Sequence, residues 1–308
     1  MARTPKAQAL GAMLRQARKD KGIVLDELGA AIHRDIGTIS RWENGERTPK
    51  PEQVAQILTR LDVHGVRYDE IMTLAYGTNE SQWVATTLPE LRQQMAAYID
   101  WEQRATSIVE VDPLMVPGLL QTTSYIKAVM TAGGVPAGEI ASRIASRIGR
   151  REVLEKPKPA RLLLLLGQGA LNQDVGGQEV TVEQIHHILT MATRPNIDVR
   201  IIPEHRGWHP GLEGPFALIE ANRSATHGNT VAPAPRQLSS IVFVGTRRSV
   251  LMLHEDADVG TYREAIHRIM QVTLTAEASL NYIADLGKRL ERNDDRRSHL
   301  AKGPSKPK

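Results

Sequence analysis

Leu10, Met13, Leu14 and Ala17 recur at the spacing of one helical face, and Gly22 closes the run behind Lys19 and Lys21. The pattern predicts a first helix from about Ala7 to Lys21. Leu25, Leu28, Ala31 and Ile32 predict a second, with Asp26 and Glu27 in its first turn, where negative charge suits the positive end of the helix dipole. A His33-Arg34 turn leads into the short segment Asp35 to Gly45. Asp35 can accept from the free amides of a first turn, and Asn44-Gly45 tolerates the left-handed backbone that ends a helix. The third helix between them is barely two turns, so neighbours must hold it through Ile39 and Trp42 on one face. The other face carries Ile36, Gly37, Ser40 and Arg41. Small residues and one arginine suit close approach to another surface, although an ordinary short amphipathic helix has the same pattern. Pro51 opens a fourth helix carrying Val54, Ile57, Leu58 and Leu61, and Tyr68, Ile71, Met72 and Ala75 indicate a fifth.

Beyond Gly77 the periodicity lapses through Thr87, a stretch of Gly, Thr, Asn and Ser that reads as a linker. Helical spacing returns in Leu91, Met95, Tyr98, Ile99 and Trp101. Ser107 to Val111 alternates like a strand, Leu162 to Leu166 has the length of a buried one, and 138–158 reads as a basic helix with Ile140, Ile144, Ile148 and Leu154. Val182 to Ala192 is helical. Asn196 to Pro203, Phe216 to Glu220, Ile241 to Val244 and Val250 to Leu253 read as strands, and Val259 to Leu274 and Ala276 to Leu290 as closing helices. Residues 221–237 show no period and read as a mobile excursion. The expected fold class is an all-α five-helix helix-turn-helix domain followed by a larger α+β domain. The expected boundaries are 1–76 for the first, 77–87 for the linker, 88–290 for the second and 291–308 for a basic, disordered tail.

A chain of 308 residues with 41% hydrophobic content has material for two cores, and the absence of cysteine excludes disulfides and thiolate metal sites. The longest aliphatic run is too short to span a bilayer, and Met1 to Leu10 lacks an apolar leader stretch, so a cytoplasmic, nucleoid-associated protein with no membrane contact is expected. The net charge is only +4, but its placement is uneven. Residues 1–50 hold ten Lys and Arg against six acids, and 287–308 hold eight against three, which leaves the body acidic. Positive ends on a negative body point to a polyanion.

The first segment, through Leu28, Ile32, Ile39-Ser40-Arg41-Trp42-Glu43, Gly45 and Pro49, resembles the lambda-repressor-like, or xenobiotic-response-element, class of helix-turn-helix regulators. The resemblance implies that the third helix enters the DNA major groove and that Ile36, Gly37 and Arg41 face base edges. Arginine can fork onto guanine and isoleucine can touch a thymine methyl. Thr38, Ser40, Asn44, Arg47 and Lys50 are the phosphate-binding candidates, being small donors or cations. Glu43 reads as a structural partner inside the fold. Where this class opens its second helix with Thr or Ser then Gln, the chain has Val24 and Leu25, so one backbone clamp is absent.

The second segment is similar to the uncharacterised C-terminal domain of actinobacterial WhiJ-like or antitoxin-like regulators, through Val116-Pro117-Gly118-Leu119-Leu120-Gln121-Thr122, Arg147 to Leu154, Pro195-Asn196-Ile197 and Gly214-Pro215-Phe216. It departs from that family at Gln168 and Gly245, where acids are usual. The resemblance implies transcriptional control alongside a small partner protein. No nucleophile elbow, phosphate loop or metalloprotease helix is present, so no enzyme activity, catalytic residue, cofactor or metal is expected. His205 and His209 lack a third ligand at a supporting spacing. Pro117 to Gln121 reads either as the lining of a pocket or as a buried corner.

The expected function is sequence-specific regulation of transcription on double-stranded DNA. The protein is expected to be a homodimer, because one short helix reads too few base pairs. Its second domain would receive a small-molecule effector or a small partner protein. The alternative is an antitoxin-like protein that chiefly binds a small protein partner, with DNA binding as autoregulation.

Overall fold

The computed structural model describes residues 4–76, 82–85, 88–222, 238–246 and 249–301. The chain divides into two compact units, Met1–Trp101 with Ser240–Thr261 and Glu102–Ser239 with Tyr262–Lys308.

In the first unit the five expected helices form: α1 (Pro5–Asp20), α2 (Leu25–Ile32), α3 (Ile36–Glu43), α4 (Pro51–Arg60) and α5 (Val66–Ala75). Thr4 caps α1 and Pro5 takes its first position, so α1 begins two residues before the apolar pattern does. At its far end Gly22 sits at φ +68, and Ile23 N–H reaches back to Arg18 O at 3.2 Å. Leu10, Leu14, Leu28, Ile39, Trp42, Val54, Ile57, Leu58, Ile71 and Leu74 make one buried core. Fully burying each such side chain contributes about 1.5–3 kcal/mol, so this core rather than helix propensity holds the short helices.

Two glycines set how closely α1 meets α3. A Cβ on Gly11 would lie 2.5 Å from Trp42 O and 2.7 Å from Glu43 O, and one on Gly45 would lie 2.7 Å from Gln8 Cα. Across this contact Arg18 donates to both carboxylate oxygens of Glu43, at 2.6 and 2.8 Å, and both side chains are buried. Charge-assisted, two-pronged bonds of this kind fix orientation as well as distance. Glu43 thus has the structural role its position suggested.

The first unit also contains α6 (Leu88–Gln103) up to Trp101, with Tyr98 against the Phe243 ring at 4.2 Å. The stretch expected as linker holds a strand, β1 (Gln82–Ala85), antiparallel to β7 (Val250–Leu253), which also pairs with β6 (Leu238–Gly245). A strand of four residues has no period of its own, and its partner lies far along the chain.

In the second unit β2 (Ala105–Asp112) runs parallel to β3 (Arg161–Gly167) and antiparallel to β5 (Phe216–Asn222), and β3 runs parallel to β4 (Ile197–Ile202). β3 is an internal parallel strand whose Leu162, Leu164, Leu165 and Leu166 are buried, so residues of both its faces are covered, as its unbroken leucine run suits. The crossovers carry α7 (Thr123–Ala132), α8 (Ala137–Arg150), a short α9 (Gln168–Asn172) and α10 (Gln178–Met191). The helix expected over 138–158 stops at Arg150. Residues Arg151–Leu154 tighten into a 3-10 turn that carries Val153 and Leu154 into the core. Helices α11 (Asp256–Val272) and α12 (Ala276–Ala301) close the chain, and α12 is tied to β4 where Ile201 N–H donates to the buried Ser279 hydroxyl at 2.9 Å. The tail expected to be disordered from 291 is helical to Ala301, because it continues the helix that packs on α10. Most of the 221–237 segment and residues 302–308 lie outside the described residues. A helical first domain followed by an α+β region is the fold class the sequence indicated.

Replacing Glu43 with Gln leaves the Arg18 charge buried with half its partner, a change of about 3–5 kcal/mol when one member of a buried pair is removed. Urea denaturation of the variant should show that loss, with its midpoint falling and its slope unchanged.

Candidate nucleic-acid interface

Asp35 has extended backbone (φ −70, ψ 150) and caps α3 twice over: its carboxylate accepts from Thr38 N–H at 2.8 Å and from the Thr38 hydroxyl at 2.6 Å. The far end closes in a Schellman turn. Gly45, at φ +66, donates to Trp42 O at 3.0 Å, and Glu46 N–H reaches Arg41 O at 2.8 Å. Ahead of α3, His33 takes the left-handed conformation at φ 54, and Arg34 N–H bonds Gly29 O at 2.9 Å. A Cβ on Gly29 would lie 2.7 Å from Arg34 O, so this tight turn requires glycine there.

With both ends fixed, α3 buries Thr38, Ile39, Trp42 and Glu43 and leaves Ile36, Gly37 and Arg41 exposed. Ile36 is 43% exposed, unusual for isoleucine in a domain with a well-packed core. Arg41 donates to the Thr38 hydroxyl oxygen at 3.1 Å and stands 3.9 Å from Asp35. A Cβ on Gly37 would sit 3.6 Å from Arg41 Nη1, so the guanidinium lies back over the glycine. The three residues expected to face bases are thereby gathered on one exposed patch.

The expected phosphate contacts divide into two groups. Arg47 and Lys50 are exposed and, among the described residues, have no carboxylate partner. Thr38 is buried and its hydroxyl serves Asp35 and Arg41, so it acts as an internal strut. The half-buried Asn44 is bonded by Arg15 through its side-chain oxygen and reaches Ser40 Oγ at 3.4 Å, which also occupies Ser40. Arg15 further donates to Glu43 O at 2.9 Å, one of the carbonyls at the end of α3. Sequence reasoning missed Arg15 as a positioning residue. Its signal was the Arg15, Arg18 spacing of three, which puts two cations on one stripe of α1 beside the carboxylate of Glu43. The exposed Arg34, just before α3, is a further cation facing solvent.

The predicted opening of α2 by Val24 is seen. Val24 offers no side-chain bond, and Glu27 instead returns to Val24 N–H at 3.2 Å. Lys50 N–H is held the same way by Gln53 at 2.8 Å, which fixes the lysine at the start of α4.

In the second unit, Pro117 to Gln121 is a buried corner. Gln184 accepts from Thr122 N–H at 2.8 Å and donates to Leu120 O at 2.6 Å, while Gln121 reaches Val116 O at 2.6 Å. Arg147 donates to Gln121 Oε1 at 2.8 Å, and burial pushes its pKa below the ordinary arginine value. His209 is buried and held below the usual histidine pKa by that burial, whereas His205 is exposed at φ 69. Among the described residues no group of three His, Asp or Glu is arranged to hold a metal ion, and no helix is long and apolar enough to cross a membrane.

The Thr38 hydroxyl, and then its amide, lower the Asp35 pKa from the ordinary aspartate value. A depressed folded pKa means that the stabilisation is present above the unfolded value and is lost as pH falls through the folded one. Asp35→Ala should therefore lower the thermal midpoint at pH 7, and the gap between variant and parent should narrow as the pH falls below the ordinary aspartate range.

Two matches with known families agree with this geometry. Residues 9–71 match the family described as Helix-turn-helix domain, so α1 to α5 form a DNA-binding module of that kind. No curated protein matches the chain. Residues 95–285 match the Domain of unknown function (DUF5753), and with more than half its length inside that match, the chain belongs to the family that shares this domain.

Proposed function

We propose that the protein is a sequence-specific regulator of transcription that binds double-stranded DNA as a homodimer, with α3 in the major groove. One observation carries the reading: Ile36, Gly37 and Arg41 share an exposed patch on a helix whose two ends and opposite face are fixed by the rest of the domain. Preorganisation of this kind leaves little of α3 to be ordered on binding. The 3.9 Å pair to Asp35 is exposed and weak, so Arg41 is free to exchange it for a guanine edge. Arg47 and Lys50 flank the patch and supply phosphate contacts, and Arg34 adds a third cation. On the resemblance of its sequence, the reading assigns the first unit to the lambda-repressor-like class and the second to the WhiJ-like regulators. The reading assigns the chain no catalytic step and places it in the cytoplasm on the nucleoid. The second unit is the expected receiver of a small effector or a small partner protein.

Support for a second copy comes from α8. None of its fourteen residues is buried, yet Ile140, Ile144 and Ile148 form a stripe at spacing four. The charged residues beside the stripe are paired within the chain, Arg143 with Glu139 at 2.7 Å and Arg150 with Glu102 at 2.6 Å, so the partly exposed isoleucines are what a second copy would cover. Two copies laid antiparallel along this stripe cover both apolar faces.

Arg41→Ala should relax preference at one base position at a cost of about 1–3 kcal/mol, whereas Lys50→Ala should weaken all sequences alike and reduce the salt slope by about one. Uniform loss in both variants would remove Arg41 from base reading. Sedimentation equilibrium should give twice the mass of one chain, and Ile144→Asp should return it to a single chain. A parent protein that sediments as one chain, or as one chain with a small co-purified protein, would contradict the homodimer.

A further inference from the structure

Three polar side chains at the start of α3 are joined in one chain of hydrogen bonds. The Thr38 hydroxyl lies 2.6 Å from Asp35 Oδ2 and 3.1 Å from Arg41 Nη2. Chemistry fixes both directions, because a guanidinium only donates and an ionised carboxylate only accepts. Thr38 takes a hydrogen from Arg41 and gives its own to Asp35. Asp35 is held in turn by the Thr38 amide at 2.8 Å, so the chain is anchored on the helix cap itself.

A phosphate oxygen of DNA only accepts, and the buried Thr38 hydroxyl has no hydrogen left to offer one. Its remaining partner is Arg41. Nη2 spends one of its two hydrogens on Thr38, and Nη1 lies over Gly37, 3.6 Å from where a Cβ would stand. The head of a long, flexible and exposed side chain is thereby fixed in direction, with donors left over for a second partner.

We propose that Thr38 is a positioning residue for base reading: its hydroxyl, backed by Asp35, holds the Arg41 guanidinium in the orientation in which it forks onto guanine. The assignment rests on the DNA-binding reading of α3 and goes beyond it, since a residue that touches no base then sets the preference for one. Guanine is the base that offers two acceptors on its major-groove edge, and both prongs reach them only when the two planes match. A plane set in the free protein does not have to be ordered in the complex. A base without that pair of acceptors gains nothing from it. Thr38 therefore favours guanine over other bases, rather than DNA over no DNA.

The test measures affinity of the 308-residue protein for its selected duplex, and for that duplex with the guanine read by Arg41 replaced, at several salt concentrations. Thr38→Val removes the hydroxyl and keeps the amide that caps on Asp35, whereas Thr38→Ser keeps both. Thr38→Val should weaken the guanine duplex about fivefold or more and leave the replaced duplex and the salt slope unchanged, and Thr38→Ser should restore the parent's preference. Equal weakening of both duplexes with a shallower salt slope would make Thr38 a phosphate contact and overturn the assignment. A readout without DNA is the Asp35 carboxyl, which the Thr38 hydroxyl holds below the ordinary aspartate range. Followed by NMR, it should titrate higher in Thr38→Val and return in Thr38→Ser, and identical titration in all three proteins removes the chain of bonds. A parent protein without a guanine preference that Arg41→Ala abolishes overturns the base-reading proposal and this assignment together. A selective parent with an equally selective Thr38→Val overturns this assignment alone.

Discussion

The bidentate bond between Arg18 and Glu43 is the constraint on which the reading head depends. A helix of eight residues has no independent stability, so the direction in which α3 points is decided by what grips it from outside. Arg18 grips the last carboxylate of the helix, Arg15 grips its last carbonyl and Asn44, and Gly11 and Gly45 let the backbones come close enough for both. The Glu43 hydrogen bond raises the Arg18 pKa above the ordinary arginine value, as expected of a pair whose charges support one another. A buried ion pair is weak evidence for net stability, but it is strict about geometry. Geometry is what the proposed reading requires, because Arg41 lies two residues before the Glu43 that Arg18 holds.

That dependence runs backwards along the chain. α1 precedes the recognition helix and yet controls where the proposed DNA surface points. Its Gly11 permits the contact with α3.

Much of this was legible in the sequence, because it rests on local rules. Asp35, Asn44-Gly45 and Pro51 mark helix ends by chemistry that acts within a few residues, and Ile39 and Trp42 declare the buried face by spacing alone. Glu43 was readable as an internal partner because a carboxylate beside phosphate would be repelled. What the sequence hid were contacts between distant residues. Thr38 and Asn44 look like free donors, but Asp35, Arg41 and Arg15 engage them. β1 needed β7, some 170 residues away by number, before it became a strand. The early stop of α8 followed from Leu154 being drawn into a core that its helical register could not reach.

The central claim, that α3 reads sequence from DNA in two copies, is met most directly by selecting bound duplexes from a random-sequence pool with the 308-residue protein at about 150 mM salt and footprinting the product. The expected result is one enriched motif made of two related half-sites about one helical turn apart, both protected. Recovery of a pool with no enriched sequence, bound only through the salt-sensitive charge of the phosphates, would contradict it.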